Sequence, residues 1–245
     1  MTFKQYYWAH QKPFPPVKFY RDIIRDILAV TKQPGKKNKD LVVLDVGSGL
    51  GKYSYELSKR VKQVVGVEPD RNTFKLAIPR KNLTFYNTLI EKFDTKQRFD
   101  LVVSGATLEH MPDANASFKR IFKLLKVGGI IYITTPNKLW PYEYHYRLWF
   151  LSYLPLSLAN LYVRMAGKGK SYQDSSYSMT YFGIKKFFNQ FPCQYKFVLP
   201  DPKASYLKYS EGSNIVRVVG IRLLKYFPFL WVFSKSFIMV VRKTA

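Results

Sequence analysis

The segment that most constrains the fold is an apolar run that ends in three closely spaced glycines, DLVVLDVGSGLG at residues 40–51. Such a run predicts a buried strand, and the following KYSYELSKRV predicts a helix because Tyr53, Leu57 and Val61 recur at every fourth position. Glycines at alternate positions permit positive φ and let a ligand approach without a Cβ in its way. We therefore expect a strand, a tight turn and a helix whose free N–H groups suit a carboxylate or phosphate.

The same alternation of strands and helices continues to residue 135. Strands are predicted at QVVGVE, LTFYN, FDLVVSG and GGIIYITT, and helices near residues 71–78 and at ANASFKRIFKLLK. We expect the second of these helices to carry Leu125 on its buried stripe and to end at Gly128 and Gly129. QYKFVL and SFIMVVRK predict two closing strands. The pattern indicates an α/β fold with a parallel sheet covered on both faces.

An amphipathic helix is predicted ahead of the first strand, at residues 13–30. Its apolar side chains share one stripe, which we expect to dock on another element: Val17, Tyr20, Ile24, Ile27 and Leu28. The N-terminal residues contain no uninterrupted apolar stretch and no small-residue cleavage site, so no secretory signal is predicted. With Cys193 as its single cysteine, the chain cannot form an internal disulfide, and we expect a reducing, cytoplasmic location.

The chain is strongly basic, with 40 Lys and Arg against 16 Asp and Glu, a net charge of +24. The excess lies mainly in the two ends, residues 1–40 and 164–245. A field of this sign attracts nucleic acid, anionic lipid head groups or a phosphorylated substrate, and it also serves solubility alone. Charge therefore leaves the partner open.

Two apolar segments predict peripheral association with anionic membranes. The first, Leu148 to Val163, has no charge and lies between Arg147 and Arg164. It is shorter than the ~18 to 20 residues of a membrane span, so we expect a helical cap or an interfacial element. The second segment, residues 215–233, is basic and apolar, with Arg222, Lys225, Phe227, Phe229, Leu230 and Trp231. The alternative is that both pack as cap and core, which we expect more for 215–233 than for 148–163.

A carboxylate ends the second predicted strand. Glu68 lies seventeen residues past Gly51, where it can accept hydrogen bonds from both hydroxyls of a ribose. The turn reads Gly-x-Gly-x-Gly rather than the Gly-x-Gly-x-x-Gly of dinucleotide-binding proteins, and no Gly-Lys-Ser/Thr follows as in a P-loop. The sequence therefore predicts a ribose-bearing ligand other than NAD.

Four segments resemble, in order and spacing, the successive motifs of class I S-adenosylmethionine-dependent methyltransferases. They are LDVGSGLGKYSYEL, VVGVEPD, FDLVVSGATLEHMPD and LLKVGGIIYITTPN, within residues 40–137. The resemblance implies a Rossmann-like seven-stranded sheet, mostly parallel with the last strand SFIMVVRK antiparallel, and a helical aromatic cap inserted after strand 5. It implies one methyltransferase domain over residues 1–245: an arm and helix (1–39), a cofactor-binding core (40–137), an acceptor-side cap (138–190) and closing strands (191–245).

The resemblance also implies S-adenosylmethionine as cofactor. The glycine turn would seat its methionine part, with Asp45 near the amino group, and Glu68 would hold the ribose. Thr88 stands where many members carry an acidic residue toward the adenine amine, so adenine recognition would rest on backbone groups and on Leu89, which is equally well explained as a core leucine. The full predicted set is Asp45, Gly47, Ser48, Gly49, Gly51, Glu68, Pro69, Thr88, Leu89 and Ser104.

A hydroxyl acceptor needs a base, and histidine is the usual candidate. His110 follows the fourth strand, near the expected methyl group, and its alternative role is to cap the next helix. His145 and Glu143, two residues apart, would share one face of an extended segment as an acid–base pair, or form a polar pair at the rim of the cap. His10 is expected at the surface or in a lid.

The segment LEHMPD also resembles ubiquinone-biosynthesis O-methyltransferases. These carry a further acidic residue three before the glutamate as a proposed metal ligand, whereas this chain has Ala106 ahead of Glu109, so no metal is expected. The stretch from Pro136 resembles the acceptor-side insertion of methyltransferases of polysaccharide and glycolipid assembly. We expect O-methylation of a small-molecule, sugar or lipid-linked glycan hydroxyl. The alternatives are RNA methylation, which the charge favours although no RNA-binding module is recognised, and a non-catalytic scaffold.

Overall fold

Seven strands form the main sheet of this computed structural model, which describes residues 15–204, 206–207 and 214–245. The strand order is β3-β2-β1-β4-β5-β9-β8. Two further strands, β6 and β7, form a separate antiparallel pair. The bounds are β1 (Val42–Val46), β2 (Gln63–Val67), β3 (Leu83–Tyr86), β4 (Phe99–Gly105), β5 (Leu125–Pro136), β6 (Tyr142–Glu143), β7 (Leu148–Trp149), β8 (Cys193–Phe197) and β9 (Ser236–Lys243).

The sheet has the predicted direction of its strands. β1 pairs in parallel with β2 and β4, and β3 and β5 extend the sheet in parallel on the two sides. β9 runs antiparallel to both β5 and β8. The expected seven-stranded, Rossmann-like α/β fold with an antiparallel last strand is therefore confirmed.

Helices cover both faces of the sheet, as buried parallel strands require. On one face, α4 contributes Phe118, Ile121 and Phe122 to an apolar cluster with α6. On the other face, α1 buries Ile24, Ile27 and Leu28, whereas Val17 at its start is exposed. The helices are α1 (Val17–Val30), α2 (Lys52–Ser58), α3 (Arg71–Phe74), α4 (Ala114–Leu124), α5 (Leu156–Met165), α6 (Tyr181–Phe188) and α7 (Asn214–Tyr226).

Two helix predictions are wrong in extent. α4 ends at Leu124, and Leu125 already belongs to β5, where it is buried and lies opposite Phe99 of β4. Pairing with the sheet thus takes Leu125 out of the helix before Gly128 and Gly129 are reached. The helix expected near residues 71–78 is the single turn of α3.

The segment between β5 and β8 forms an aromatic cap with its own small core. The β6–β7 hairpin, α5 and the loop after α5 bury Tyr146, Leu151, Val163 and Tyr172 together. The Tyr146 hydroxyl donates a 2.6 Å hydrogen bond to the Ser171 carbonyl, which ties the hairpin to that loop. The cap therefore contains a strand pair as well as the predicted helices.

Asp100 ties together the edge of the sheet where β1 and β4 begin. Its buried carboxylate pairs with Lys36 and accepts hydrogen bonds from the Val42 amide at 2.9 Å and from Lys126 at 2.9 Å. Burial would raise the pKa of Asp100, but these hydrogen bonds and the lysine charge outweigh it, so the pKa lies below its usual value. The ionised form is therefore stabilised in the folded chain.

We expect Asp100→Asn to lower the free energy of unfolding at pH 7 by about 1 to 2 kcal/mol, because three donors lose their charged acceptor. A pKa that folding lowers contributes stability above the unfolded value, and this contribution is lost as the pH falls toward the folded value. The difference between variant and wild type should therefore shrink below about pH 4. Urea unfolding at several pH values measures it. Asp94→Asn is the control, since Asp94 is exposed and bonds only Arg120 among the described residues; an equal loss there would contradict the role of Asp100.

Candidate functional site

A cavity of about 460 Å³ opens at the carboxyl ends of β1, β2 and β4. Ligands of open α/β sheets bind at this edge, at the point where the strand order reverses, which here lies between β1 and β4. Its wall includes six residues that the sequence predicts for the site: Gly47, Gly49, Glu68, Pro69, Leu89 and His110. The chain thus brings the glycine turn, the acidic end of β2 and one of the predicted bases to one cavity.

The three glycines of the turn have different roles. All have positive φ, at 69° for Gly47, 54° for Gly49 and 71° for Gly51. A Cβ on Gly47 would lie 2.5 Å from Thr107, and one on Gly51 would lie 2.6 Å from Phe85. A Cβ on Gly49 would meet no atom within 4 Å, and Gly49 lines the cavity. Gly47 and Gly51 are therefore needed for packing, whereas Gly49 keeps space open for a ligand.

Glu68 connects the turn to the loop after β2. One carboxylate oxygen accepts a 2.9 Å hydrogen bond from the Gly49 amide, and the other accepts a 2.8 Å bond from the Asp70 amide. Each carboxylate oxygen can accept a second hydrogen bond. The side chain is thus held by backbone donors at the cavity wall and retains acceptor capacity toward a ligand.

Five of the predicted cofactor residues lie outside the cavity wall: Asp45, Ser48, Gly51, Thr88 and Ser104. Asp45 is buried and accepts a 2.5 Å hydrogen bond from Ser54; burial raises its pKa to about 6. The hydroxyls of Ser48 and Ser104 are buried and make no hydrogen bond with a described residue. Thr88 donates to the Leu89 carbonyl at 3.3 Å, and Leu89 is 47% exposed, which excludes its alternative as a core leucine.

The two predicted bases lie against each other. The rings of His110 and His145 meet edge to face with 5.1 Å between centroids. The Glu143 carboxylate lies 2.7 Å from Nδ1 of His145, and its other oxygen accepts a 2.7 Å bond from the Tyr146 amide. The predicted Glu143–His145 pair thus forms, and the cap places it beside the end of β4. His10 lies outside the described residues.

Burial and charge set the protonation of this cluster. Burial raises the pKa of Glu109 to about 7, although the nearby His145 opposes the shift. Burial alone would lower the pKa of His145, but the hydrogen bond and charge of Glu143, with the charge of Glu109, raise it above its usual value. The folded chain therefore favours the protonated form of His145, beside a Glu109 carboxyl group whose pKa is about 7.

Three side chains that could hold a metal ion meet beside the end of β4. Ligand atoms of Glu109, His110 and His145 all lie within 4.8 Å of one another. One Glu109 oxygen accepts a 3.1 Å bond from Thr135, and the other is buried without a partner in the described chain. Two imidazoles and a carboxylate suit a transition metal ion. Glu109 and His110 are neighbours in the sequence, and the cap supplies His145 from a distant part of the chain.

Two residues of the cavity wall lie outside the predicted set. Gln173 and Tyr177, from the loop after α5, also line the cavity. The Tyr177 amide donates a 3.3 Å hydrogen bond to the Glu109 carbonyl, which holds this loop against the end of β4. Neither residue stands in a recognisable motif, so only their placement in the fold identifies them.

Known proteins resemble this chain over its core. The family model described as a methyltransferase domain matches residues 37–180. The mitochondrial ubiquinone biosynthesis O-methyltransferase of Bos taurus is 30% identical over 149 residues, 54% of this chain and 40% of that protein. The ubiquinone biosynthesis O-methyltransferase of Bradyrhizobium diazoefficiens is 33% identical over 105 residues, 41% of this chain and 42% of that protein. The chain thus spans about two fifths of the length of these relatives.

Solved structures share the fold at low identity. The plantazolicin methyltransferase BpumL in complex with SAH has a TM-score of 0.58 at 14% identity, with 98% of this chain and 89% of that chain covered. The YcgJ protein of Bacillus subtilis has a TM-score of 0.54 at 13% identity, with 91% and 98% covered. Since the family model spans more than half of the residues, this chain belongs to the methyltransferase domain family, which confirms its resemblance to class I S-adenosylmethionine-dependent methyltransferases.

Proposed function

We propose that this chain transfers the methyl group of S-adenosylmethionine to a hydroxyl of a small molecule, and that the acceptor is lipid-linked and met at an anionic membrane. The observation that carries the reaction is the shared cavity: the glycine turn and Glu68 line one part of it, and His110 lines another. A cofactor and an acceptor bound in this cavity would be neighbours, which methyl transfer by in-line displacement requires.

The cofactor's polar parts match the donors and acceptors of the cavity wall. The ribose hydroxyls suit the remaining acceptor capacity of Glu68, and the open space above Gly49 suits close approach of the cofactor to the backbone. The exposed Leu89 side chain offers an apolar surface for the adenine ring. The cofactor supplies the reactive methyl group, so these residues have only to bind and orient it.

Removing the Glu68 carboxylate should weaken cofactor binding. We expect Glu68→Ala to weaken binding of S-adenosylhomocysteine by about 1 to 3 kcal/mol, because two hydroxyls lose a charged acceptor. Gly49→Val should weaken it further, since its side chain enters the cavity where no protein atom stands. Calorimetric titration measures both. Gly128→Ala is a control, because Gly128 also has positive φ and open space but lies in the first half of β5 and does not line the cavity. Unchanged affinity in Glu68→Ala would contradict the ribose assignment.

The histidine cluster is suited to remove the acceptor's proton. His110 lines the cavity, and His145 contacts its ring from the cap. Glu143 orients His145 through Nδ1 and stabilises its charged form. An acceptor hydroxyl beside His110 would therefore lose its proton to one of the two imidazoles, and the carboxylate would stabilise the resulting imidazolium.

We expect His110→Ala or His145→Ala to lower turnover by about 10²- to 10⁴-fold with little change in cofactor affinity. Because Glu143 raises the pKa of His145, and a base acts in its neutral form, Glu143→Gln should move the rising limb of the pH–rate profile to lower pH. Transfer of labelled methyl groups from S-adenosylmethionine to the lipid, glycan, RNA and protein fractions of a cell extract identifies the substrate used for these rates. Wild-type turnover in both single histidine variants would contradict proton removal by histidine.

The relatives support a small-molecule acceptor. Those with about 30% identity are named as O-methyltransferases of ubiquinone biosynthesis. The intact site argues against a scaffold, because the carboxylate, the open glycine and the histidine pair converge on one cavity. The net charge of +24 favours RNA methylation, but no other feature of the described site does.

Membrane association is supported by an exposed aromatic surface on the cap, here called the cap patch. Trp149 is 58% exposed and Phe150 57%, and neighbouring α5 also exposes its leucines. Aromatic rings favour the head-group boundary of a bilayer. The cap patch comprises Trp149, Phe150, Tyr153, Leu156, Leu158, Leu161 and Met165.

The second apolar segment borders the cap patch. Lys235 Nζ lies 4.1 Å from the centroid of the Tyr144 ring, and Tyr142, which contacts Tyr144, also contacts Trp149. Of residues 226–233, Trp231 is buried, but four large apolar side chains are exposed: Tyr226, Phe227, Phe229 and Phe233. The sequence favours core packing more for residues 215–233 than for 148–163, and this expectation is wrong: Leu148, Leu151, Ala159 and Val163 are buried in the first segment, whereas the turn after α7 buries Trp231 and leaves other aromatic side chains in solvent.

No helix among the described residues has the length and apolarity to cross a bilayer. The proposed contact is therefore peripheral, at the cytoplasmic face, where anionic lipids attract basic residues at about 1 kcal/mol each. Burial of the cap patch at the head-group level would add the apolar contribution.

We expect the protein to float with anionic vesicles, to dissociate as salt rises, and to bind at least about tenfold more weakly as Trp149→Ser/Phe150→Ser. The matched control is Leu76→Ser/Ile78→Ser, which removes two comparably exposed apolar side chains from the basic stretch between α3 and β3. Vesicle flotation measures both. A protein that stays unbound at low salt would refute membrane association, and salt-sensitive retardation of RNA that survives the aromatic changes would favour RNA instead.

A further inference from the structure

A second cavity, of about 1070 Å³, lies apart from the methyl-transfer site. Its walls come from the C-terminal half of α1, the β8–β9 side of the sheet, and α7 with the turn that follows it. It shares no lining residue with the cavity at the glycine turn. Protein interiors are close-packed, so a space of this size between three elements is larger than packing defects account for.

The wall of this cavity is predominantly apolar. Val30 of α1, Phe197 of β8, Ile238 of β9, Leu224 of α7 and Trp231 line it from different sides. Burial raises the pKa of Tyr132 and of Tyr206, so both phenols in the wall are neutral. The interior therefore suits a hydrocarbon chain rather than a polar ligand.

The charges of the wall divide into engaged carboxylates and available cations. Asp26 Oδ1 lies 3.5 Å from Arg25 Nε, and the Asp26 side chain is hydrogen-bonded to Tyr206. The Asp201 carboxylate accepts a 2.8 Å hydrogen bond from the Lys203 amide. Arg222 and Lys225, which are exposed, have no carboxylate within ion-pair distance in the described part of the chain. Two available cations thus stand where the cavity meets solvent.

α7 forms one wall of this cavity. Leu224 faces the cavity, whereas Ile215, Val219 and Leu223 form an exposed stripe on another side of the helix. We propose that the cavity binds the hydrocarbon chain of a single-chain anionic lipid, whose head group is held by Arg222 and Lys225. The cations select an anionic head group, the apolar wall selects the chain, and the site operates independently of the methyl-transfer reaction.

Titration of the purified full chain with dansyl-undecanoic acid tests the proposal. We expect a saturable rise in fluorescence that oleate or lysophosphatidate reverses at a concentration about tenfold lower than oleyl alcohol does, since the alcohol lacks the charge. Inorganic phosphate alone should not displace the probe. If only oleate displaces the probe, the site takes a carboxylate head group. If only lysophosphatidate displaces it, the site takes a phosphate head group.

Two neighbouring substitutions on α7 provide the matched comparison. Leu224→Trp, which fills the cavity, should raise the Kd of the probe at least about tenfold, whereas Leu223→Trp on the exposed stripe should leave it unchanged. Arg222→Gln/Lys225→Gln, which keeps the packing intact, should abolish the preference for oleate over oleyl alcohol. Melting temperature and S-adenosylhomocysteine affinity confirm that each variant is folded.

Three outcomes would overturn the proposal. The first is absence of saturable probe binding to the wild type, and the second is equal binding by Leu224→Trp. The third is a loss in Leu223→Trp as large as in Leu224→Trp, which would assign the binding to the helix surface. If the wild type does not bind S-adenosylhomocysteine or transfer methyl groups, only the proposed function is contradicted, because the lipid cavity shares no residue with that site.

Discussion

The hydrogen bond between the Gly49 amide and the Glu68 carboxylate is the interaction on which the site depends. It joins the turn after β1 to the end of β2, two neighbouring parallel strands that reach the same edge of the sheet. The bond positions the carboxylate at the cavity wall and holds the turn in a conformation with positive φ at Gly49. Because the packing against Thr107 and Phe85 requires glycine at positions 47 and 51, the surrounding turn has little freedom to move.

The cap completes this edge from a different part of the chain. Its hairpin brings His145, held by Glu143, against His110 at the end of β4, and its later loop bonds the Glu109 carbonyl. The small core around Tyr146 keeps the hairpin and the loop together. The resulting cluster is buried and contains carboxylates and imidazoles. Burial raises the pKa of Glu109 to about 7, and the pKa of His145 is raised in spite of its burial by the hydrogen bond and charge of Glu143 and by the charge of Glu109.

The cap contributes both to the site and to the exposed apolar surface. It places His145 against His110 and also exposes Trp149 and Phe150. Contact between Lys235 and Tyr144 links this surface to the segment after α7. In the proposed function, a lipid-linked acceptor would meet the protein through the cap, and the cavity beside α7 would provide a separate site for a lipid chain.

The sequence alone predicts the α/β fold, the glycine turn and the position of Glu68. These features depend on local periodicity and on short spacings within strand–turn–helix units, which the chain encodes continuously. It also predicted the Glu143–His145 pair, since both residues lie in one short segment. It did not predict the end of α4, because Leu125 is taken into the sheet by its pairing opposite Phe99.

Only the tertiary structure decided which residues meet at the site. Contact between His110 and His145, the third ligand position beside Glu109, and the wall formed by Gln173 and Tyr177 all depend on how the cap folds back over β4. The same holds for the cavity beneath α7, whose walls come from both ends of the chain. Contacts between residues distant in sequence arise from packing and burial over the whole chain, and no local pattern of residue types encodes them.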